Sequence, residues 1–156
     1  MWMVMSDSHD NLENVKKALE EARRRGVKHV FHCGDIVSPF VIPLFEGFEL
    51  HAVFGNNDGE WLYLKEKAKD SIAKGPREIE IEKKKIALMH EPFLLEAIVR
   101  SGMYDFVFYG HTHEIDIRKE GKTLIVNPGE TCGCLKGKAT VVFVDPETKD
   151  HEVFEI

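Results

Sequence analysis

Glutamine is absent from the 156 residues, cysteine occurs three times, and no apolar run approaches the ~20 residues a membrane-spanning helix needs. A transmembrane segment is therefore not expected. The opening stretch MWMVMSDSHD also lacks the basic n-region, the long apolar segment and the small-residue cleavage site of a secretory signal, so a cytoplasmic protein is expected. Cys33, Cys132 and Cys134 make an odd set, and a bridge between positions two apart would be strained, which fits a reducing compartment. The CGC pair could hold zinc, but a structural zinc site takes four ligands and no second cysteine pair exists, so loop or packed thiols are the expected reading. A formal charge of -6 excludes a broad basic footprint and makes nucleic acid a disfavoured partner. Charged residues reach 31%, rich in Glu and Lys, and with no glutamine this composition leans towards thermophilic proteins.

The hydrophobic fraction of 43% is enough for a real core, and 156 residues fit one domain covering 1–156. An apolar strand at 3–5 ends at Asp7, and Asp10 with Glu13 reads as a capping box for a helix carrying Leu12, Val15, Leu19 and Ala22. Arg23 to Arg25 suit a solvated C-terminal helix end, with Gly26 as the stop. A strand at 29–33 closes a βαβ unit. A short irregular helix at 38–48, a strand at 50–54 and a helix from about 60 to 74 follow. Next, EIEIE, the KKK turn and IALMH read as a β-hairpin with the glutamates on a wet edge strand, and Pro92 can open a helix through about 100. Strands at 106–109, 115–118, 124–126 and 139–144 and a last one through Phe154 complete the pattern. An α/β half followed by a hairpin-rich half predicts two packed mixed sheets flanked by helices. Neither repeats nor linkers are visible.

Asp7 and His9, Asp35, Asn56, His90, then His111 and His113 each follow one of these short apolar runs. Parallel strands align their C-terminal ends along one edge, so these side chains are expected to converge. Taken singly the motifs are weak: D-x-H, GD and GNND are all ordinary turn sequences, and a lone histidine is usually structural. Their order is informative, and GHTH at 110–113 adds two imidazoles that a bent backbone can aim at one point.

The ordered set D-x-H, GD, GNND, a lone His and GH-x-H resembles the calcineurin-like metallophosphoesterase superfamily. Over residues 5–129 it is most similar to its small archaeal and bacterial single-domain phosphodiesterases (YfcE-like), which share their fold with a retromer subunit. NPGE at 127–130 stands close to the NPGS turn of those proteins. The resemblance implies a four-layer α/β/β/α fold and a binuclear centre. Asp7, His9, Asp35 and His113 would hold one ion, Asp35, Asn56, His90 and His111 the other, and Asp35 would bridge them. A bridging carboxylate suits ions ~3.5–4 Å apart, the spacing used for in-line displacement at phosphorus. Two dications against the carboxylates Asp7 and Asp35 leave a positive excess that attracts an anionic ester. Imidazole-rich ligation favours a transition metal over magnesium or calcium. The resemblance points to Mn, with Ni, Fe, Co or Zn also admitted.

The implied function is hydrolysis of small organic or nucleotide phosphodiesters by metal-held hydroxide attacking phosphorus. The alternatives are a catalytically weak interaction scaffold of the same fold and a nuclease on short oligonucleotides. Retention of every ligand weighs against the scaffold, and the acidic charge against the nuclease. Two positions depart from the family pattern. Asn57 stands where many members carry the His read as general acid or phosphate donor; an amide donates a hydrogen bond but transfers no proton at neutral pH, so Asn57 is expected at most to steady a phosphate oxygen. Glu91 replaces the usual Gly after His90 and is either a substitute acid or a solvated residue at a helix N-terminus. Asp58 is expected to orient the GNND loop from behind the ligands. His32 is expected in packing behind the site, while His29, His51 and His151 read as surface or structural. Trp61 and Tyr63 are read as helix packing or as a pocket mouth. The apolar segment SPFVIPLFEGF fits core packing or a homodimer or higher homo-oligomer contact equally well.

Overall fold

The structure is a computed structural model that describes all residues, 1–156. In chain order the elements are β1 (Trp2–Met5), α1 (Leu12–Arg24), β2 (His29–His32), a 3-10 helix (Pro39–Phe45), β3 (Glu49–Val53), α2 (Trp61–Ala68), a 3-10 turn (Lys69–Ser71) and β4 (Ile72–Ala73). The second half continues with β5 (Arg77–Ile81), β6 (Lys84–Leu88), α3 (Leu95–Arg100), β7 (Phe106–Phe108), β8 (Ile115–Glu120), β9 (Thr123–Pro128), β10 (Thr140–Val144) and β11 (His151–Glu155).

Strand order in the first sheet is β11-β10-β1-β2-β3-β4, and in the second β5-β6-β7-β9-β8. In the first, β1 to β4 run parallel while β10 and β11 are antiparallel. In the second, β6, β7 and β9 run parallel between antiparallel edges. Alternation along β1 explains the layering: Met3 and Met5 face the helices, Trp2 and Val4 face the other sheet. Trp2 packs between Phe31 and Phe106, at ring distances of 5.3 and 5.1 Å, and so joins the sheets. Val15, Ala18, Leu19 and Ala22 of α1 are buried on the outer face of the first sheet, where a Leu or Val contributes about 1.5–3 kcal/mol. Leu95 and Val99 of α3 cover the other outer face. The four layers expected from the sequence are present.

Local expectations fare unevenly. Asn11, not Asp10, caps α1: its side chain accepts from the Asn14 N–H at 3.1 Å. Asp10 instead accepts from the Ser38 N–H and hydroxyl, at 3.0 and 2.7 Å, because its left-handed backbone turns it towards the neighbouring loop. Arg25 is no solvated helix end; it pairs with Glu21 and Glu152, both at 2.7 Å, and lies over the Phe143 ring. The helix expected over 60–74 stops at Ala68, since Lys69 takes φ 52° and Ile72–Ala73 pairs with β3. Pro92 does not open α3, which starts at Leu95 after a turn closed by the Leu95 N–H on the Pro92 carbonyl. In SPFVIPLFEGF, Val41 and Phe45 are core while Phe40 is exposed. No helix is long and apolar enough to cross a membrane.

Candidate metal centre

The loops after β1, β2, β3, β6 and β7 meet at one edge of the two sheets and bring the motif residues together. Asp7 and Asp35 are buried, at 0% and 1% exposure, whereas His111 and Asn56 lie at the solvent side. His9, Asp35 and Asp7 gather with His113: His9 Nε2 lies 3.4 Å from Asp35 Oδ2 and 3.9 Å from Asp7 Oδ1, and His113 Nε2 lies 3.3 Å from Asp7 Oδ1. These four can hold a metal ion. On the other side of Asp35, His90 Nε2 is 3.5 Å from Oδ1. His90 Nε2 and His111 Nδ1 are each 2.9 Å from Asn56 Oδ1.

The hydrogen bonds decide whether cations fit here. His90 Nδ1 donates to the Cys33 carbonyl at 2.8 Å, and His113 Nδ1 donates to Glu130 Oε2 at 2.6 Å. In a neutral imidazole the Nε2 of each is then a lone pair. Those lone pairs face other acceptors, Asn56 Oδ1 and Asp7 Oδ1. Asp7 Oδ1 and His9 Nε2 are buried without any hydrogen-bond partner. Acceptors converging on acceptors in a buried site call for positive charge between them. Asp7 shows the same strain: burial, outweighing the Ser6 hydroxyl and the charges of His90 and His113, raises its carboxyl above the usual range. Divalent ions would remove that penalty.

A further layer of hydrogen bonds fixes these side chains. Ser6 Oγ and the His111 N–H donate to Asp7 Oδ2, leaving Oδ1 aimed inward. Asn57 donates from its backbone to Asp35 Oδ1 at 2.8 Å and from Nδ2 to Asp35 Oδ2 at 2.7 Å, so it steadies the carboxylate that faces both histidine sets. Asp58 accepts from the Val37 and Gly55 N–H groups at 2.6 and 2.7 Å and ties the GNND loop to the loop after β2. Burial raises its carboxyl, against the pull of those two N–H groups. His32 sits behind the site: Nδ1 accepts from the Gly34 N–H, Nε2 donates to Ser8 Oγ at 3.0 Å, and burial pushes its pKa down to about 3. Glu91 is half-buried in the turn ahead of α3 and lines a cleft of about 140 Å³ with Phe54, Pro76, His90, Phe93 and Leu94. Trp61 stacks on Phe54 at 5.3 Å beside this cleft, while Tyr63 is exposed.

Glu130 is the residue that sequence reasoning passed over. It is 1% exposed, and its carboxylate accepts from His113 Nδ1, the Leu135 N–H at 2.9 Å, the Lys136 N–H at 2.7 Å and Cys132 Sγ at 3.6 Å. Burial pushes its pKa up, but the Lys136 N–H, the His113 ring and the Leu135 N–H outweigh it and hold the carboxyl below the usual range. NPGE is visible in the sequence as a turn, and the acid that ends it is the available signal. Cys132 is buried and free, with its thiol raised to about 12, chiefly by burial.

Backbone conformation is unusual around the centre. Asp7, His9, Asp35, His111 and His113 all have left-handed φ, at 52°, 40°, 57°, 70° and 58°. Two glycines permit the approach: a Cβ on Gly55 would overlap the Asp35 carboxylate and backbone nitrogen, and one on Gly110 would overlap the Ser6 hydroxyl.

Residues 1–149 match the family model of the calcineurin-like phosphoesterase superfamily domain, and the chain belongs to that superfamily. Within it, the chain is 42% identical to Phosphodiesterase MJ0936 of Methanocaldococcus jannaschii, across 95% of this chain and 94% of that one. A solved structure described as a novel archaeal phosphodiesterase superposes with a TM-score of 0.91 at 40% identity, covering 99% of both chains. Vps29 of Entamoeba histolytica, solved with zinc, shares the fold at a TM-score of 0.68 and 16% identity, over 99% of this chain and 97% of that one.

Proposed function

We propose that this phosphoric diester hydrolase works with two divalent ions, manganese being the first to test, on small organic or nucleotide diesters in the cytoplasm. One observation carries the two-ion reading: Asp35 turns Oδ2 towards His9 and Oδ1 towards His90, so one carboxylate serves two sets of nitrogens. One ion would be held by Asp7, His9, Asp35 and His113, the other by Asp35, Asn56, His90 and His111. Bound there, such ions supply Lewis-acid charge for phosphoryl oxygens and acidify water towards neutral pH.

The chain's own groups do the rest. Asn57 and the protein backbone hold Asp35 in its split orientation, while Glu130 and the Cys33 carbonyl fix the tautomers of His113 and His90 so that each presents a lone pair inward. The cleft beside His90, at about 140 Å³, is smaller than the ~300–1,000 Å³ of drug-sized sites and suits a compact ester group. No imidazole occupies position 57, so the departing oxygen receives little help from a strong acid, and diesters with good leaving groups should be favoured. Glu91 is the carboxylate that lines the cleft and the acid to test there.

The test is to strip metal, reconstitute with Mn, Ni, Zn or Mg, and assay a p-nitrophenyl diester beside the monoester. Metal-dependent diester turnover that Asp35→Asn abolishes is the expected result. Turnover unaffected by chelation or by Asp35→Asn would overturn the reading.

A further inference from the structure

His29, Glu49 and His51 gather at the opposite edge of the first sheet, away from the centre above. His29 and Glu49 open β2 and β3 and are register partners, whereas Asp7, Asp35 and Asn56 follow the C-terminal ends of their strands. His29 Nδ1 lies 3.2 Å from His51 Nε2 and 3.4 Å from Glu49 Oε2. All three donor atoms lie within 4.8 Å of one another.

The rings of His29 and His51 hydrogen-bond to each other, and the 3.2 and 3.4 Å separations match the edges of a coordination tetrahedron. Donor atoms set tetrahedrally at ~2.0–2.1 Å from an ion are about 3.3 Å apart. The two rings are also held: His51 stacks on Phe31 at 5.1 Å, and His29 meets Trp2 edge-on at 6.4 Å. His29 is buried and His51 half-buried, so the rings are built into the sheet, while Glu49 at the surface leaves a path for entry. Glu49 divides its oxygens: Oε1 pairs with Lys28 at 2.9 Å and Oε2 faces His29. A cation can therefore take Oε2 without displacing Lys28.

We propose that His29, Glu49 and His51 form a separate divalent-cation site of the zinc type, with the fourth position open to water. Two imidazoles and one carboxylate are a donor set that zinc takes and that magnesium and calcium, which prefer all-oxygen shells, do not. A bound ion would cross-link the starts of β2 and β3. It sits on the far edge from the hydrolytic centre and contributes nothing to it directly.

Zinc titration of the EDTA-washed full chain tests this, with bound zinc counted after equilibrium dialysis and the histidine ring nitrogens followed by NMR. His51→Gln and Glu49→Gln should each bind one zinc fewer per chain than wild type and keep diester turnover. In the wild type the ring resonances of His29 and His51 should shift as zinc is added. Equal zinc counts in wild type and both variants would overturn the proposal. So would His29 and His51 resonances that stay still while those of His9 and His90 shift, an arm that holds even if a variant fails to fold.

Discussion

Replacing Glu130 by glutamine keeps the shape of a buried side chain and removes its charge, and the hydrogen bonds around the carboxylate determine the cost. Both oxygens accept: Oε2 from His113, Oε1 from Lys136, and the pair together from the Leu135 N–H. Glutamine has one acceptor oxygen and one NH2 donor. With the oxygen turned to Leu135 and Lys136, the NH2 faces His113, whose Nδ1 must then become an acceptor and whose Nε2 must carry the proton. That tautomer cannot ligate a metal through Nε2. With the oxygen turned to His113, the NH2 faces two backbone N–H groups and their bonds are lost. Hydrogen bonds to a charged group contribute roughly 1.5–3 kcal/mol each, and loss of such a ligand-orienting partner typically weakens metal binding about 10–100-fold. Glu130→Gln should therefore lose about 10–100-fold in manganese affinity by calorimetry, or at least roughly 1.5 kcal/mol of stability by urea unfolding. Because the folded pKa of Glu130 lies below its ordinary value, this stabilisation is complete above pH ~4.5 and fades as pH falls through the depressed value, so the gap between wild type and variant should narrow in acid. A variant with wild-type metal affinity and stability at pH 7 would refute the role given to Glu130.

Other perturbations probe the rest of the centre. Across a series of aryl and alkyl diesters the rate should fall steeply as leaving-group pKa rises, and Asn57→His should flatten the slope; a flat wild-type slope would mean that another acid supplies the proton. Glu91 makes no hydrogen bond to the ligand set, so Glu91→Gln should leave the pH–rate profile unchanged, and loss of a limb would make it the acid. Gly55→Ala drives a methyl into Asp35, including its backbone nitrogen, which no side-chain rotation relieves; a cost of at least 1–3 kcal/mol in stability is expected from roughly this degree of overpacking. Metal counts should drop with it, and an intact metal count would show that the loop can move aside.

Long-range order was readable from the chain where burial forced a pattern. The strand ends were marked because Met3–Met5, Val30–Phe31 and Ala52–Val53 are buried runs that end abruptly at Asp, Gly-Asp or Gly-Asn. Elements decided by a single backbone angle were not readable: Leu64 and Ala68 keep a helical spacing, and only the left-handed turn at Lys69 reveals that the helix is over. At the centre, the side chains that converge belong to motifs, whereas Glu130 touches only His113 and its own loop. His29 and His51 carry no motif because register across two strands, a property of the folded sheet, makes them neighbours.

Asp7, His9, Asp35, His111 and His113 stand on left-handed backbone that glycine would adopt freely and that costs other residues up to roughly 1–2 kcal/mol each. The loops alone do not favour this arrangement; the sheets that anchor both ends of each loop impose it. In evolutionary terms, chemistry and architecture are separable here. The acids and imidazoles sit where the backbone would accept glycine more readily, so the loops are the part free to change if hydrolysis were no longer required, while the sandwich beneath them is held by its own apolar packing.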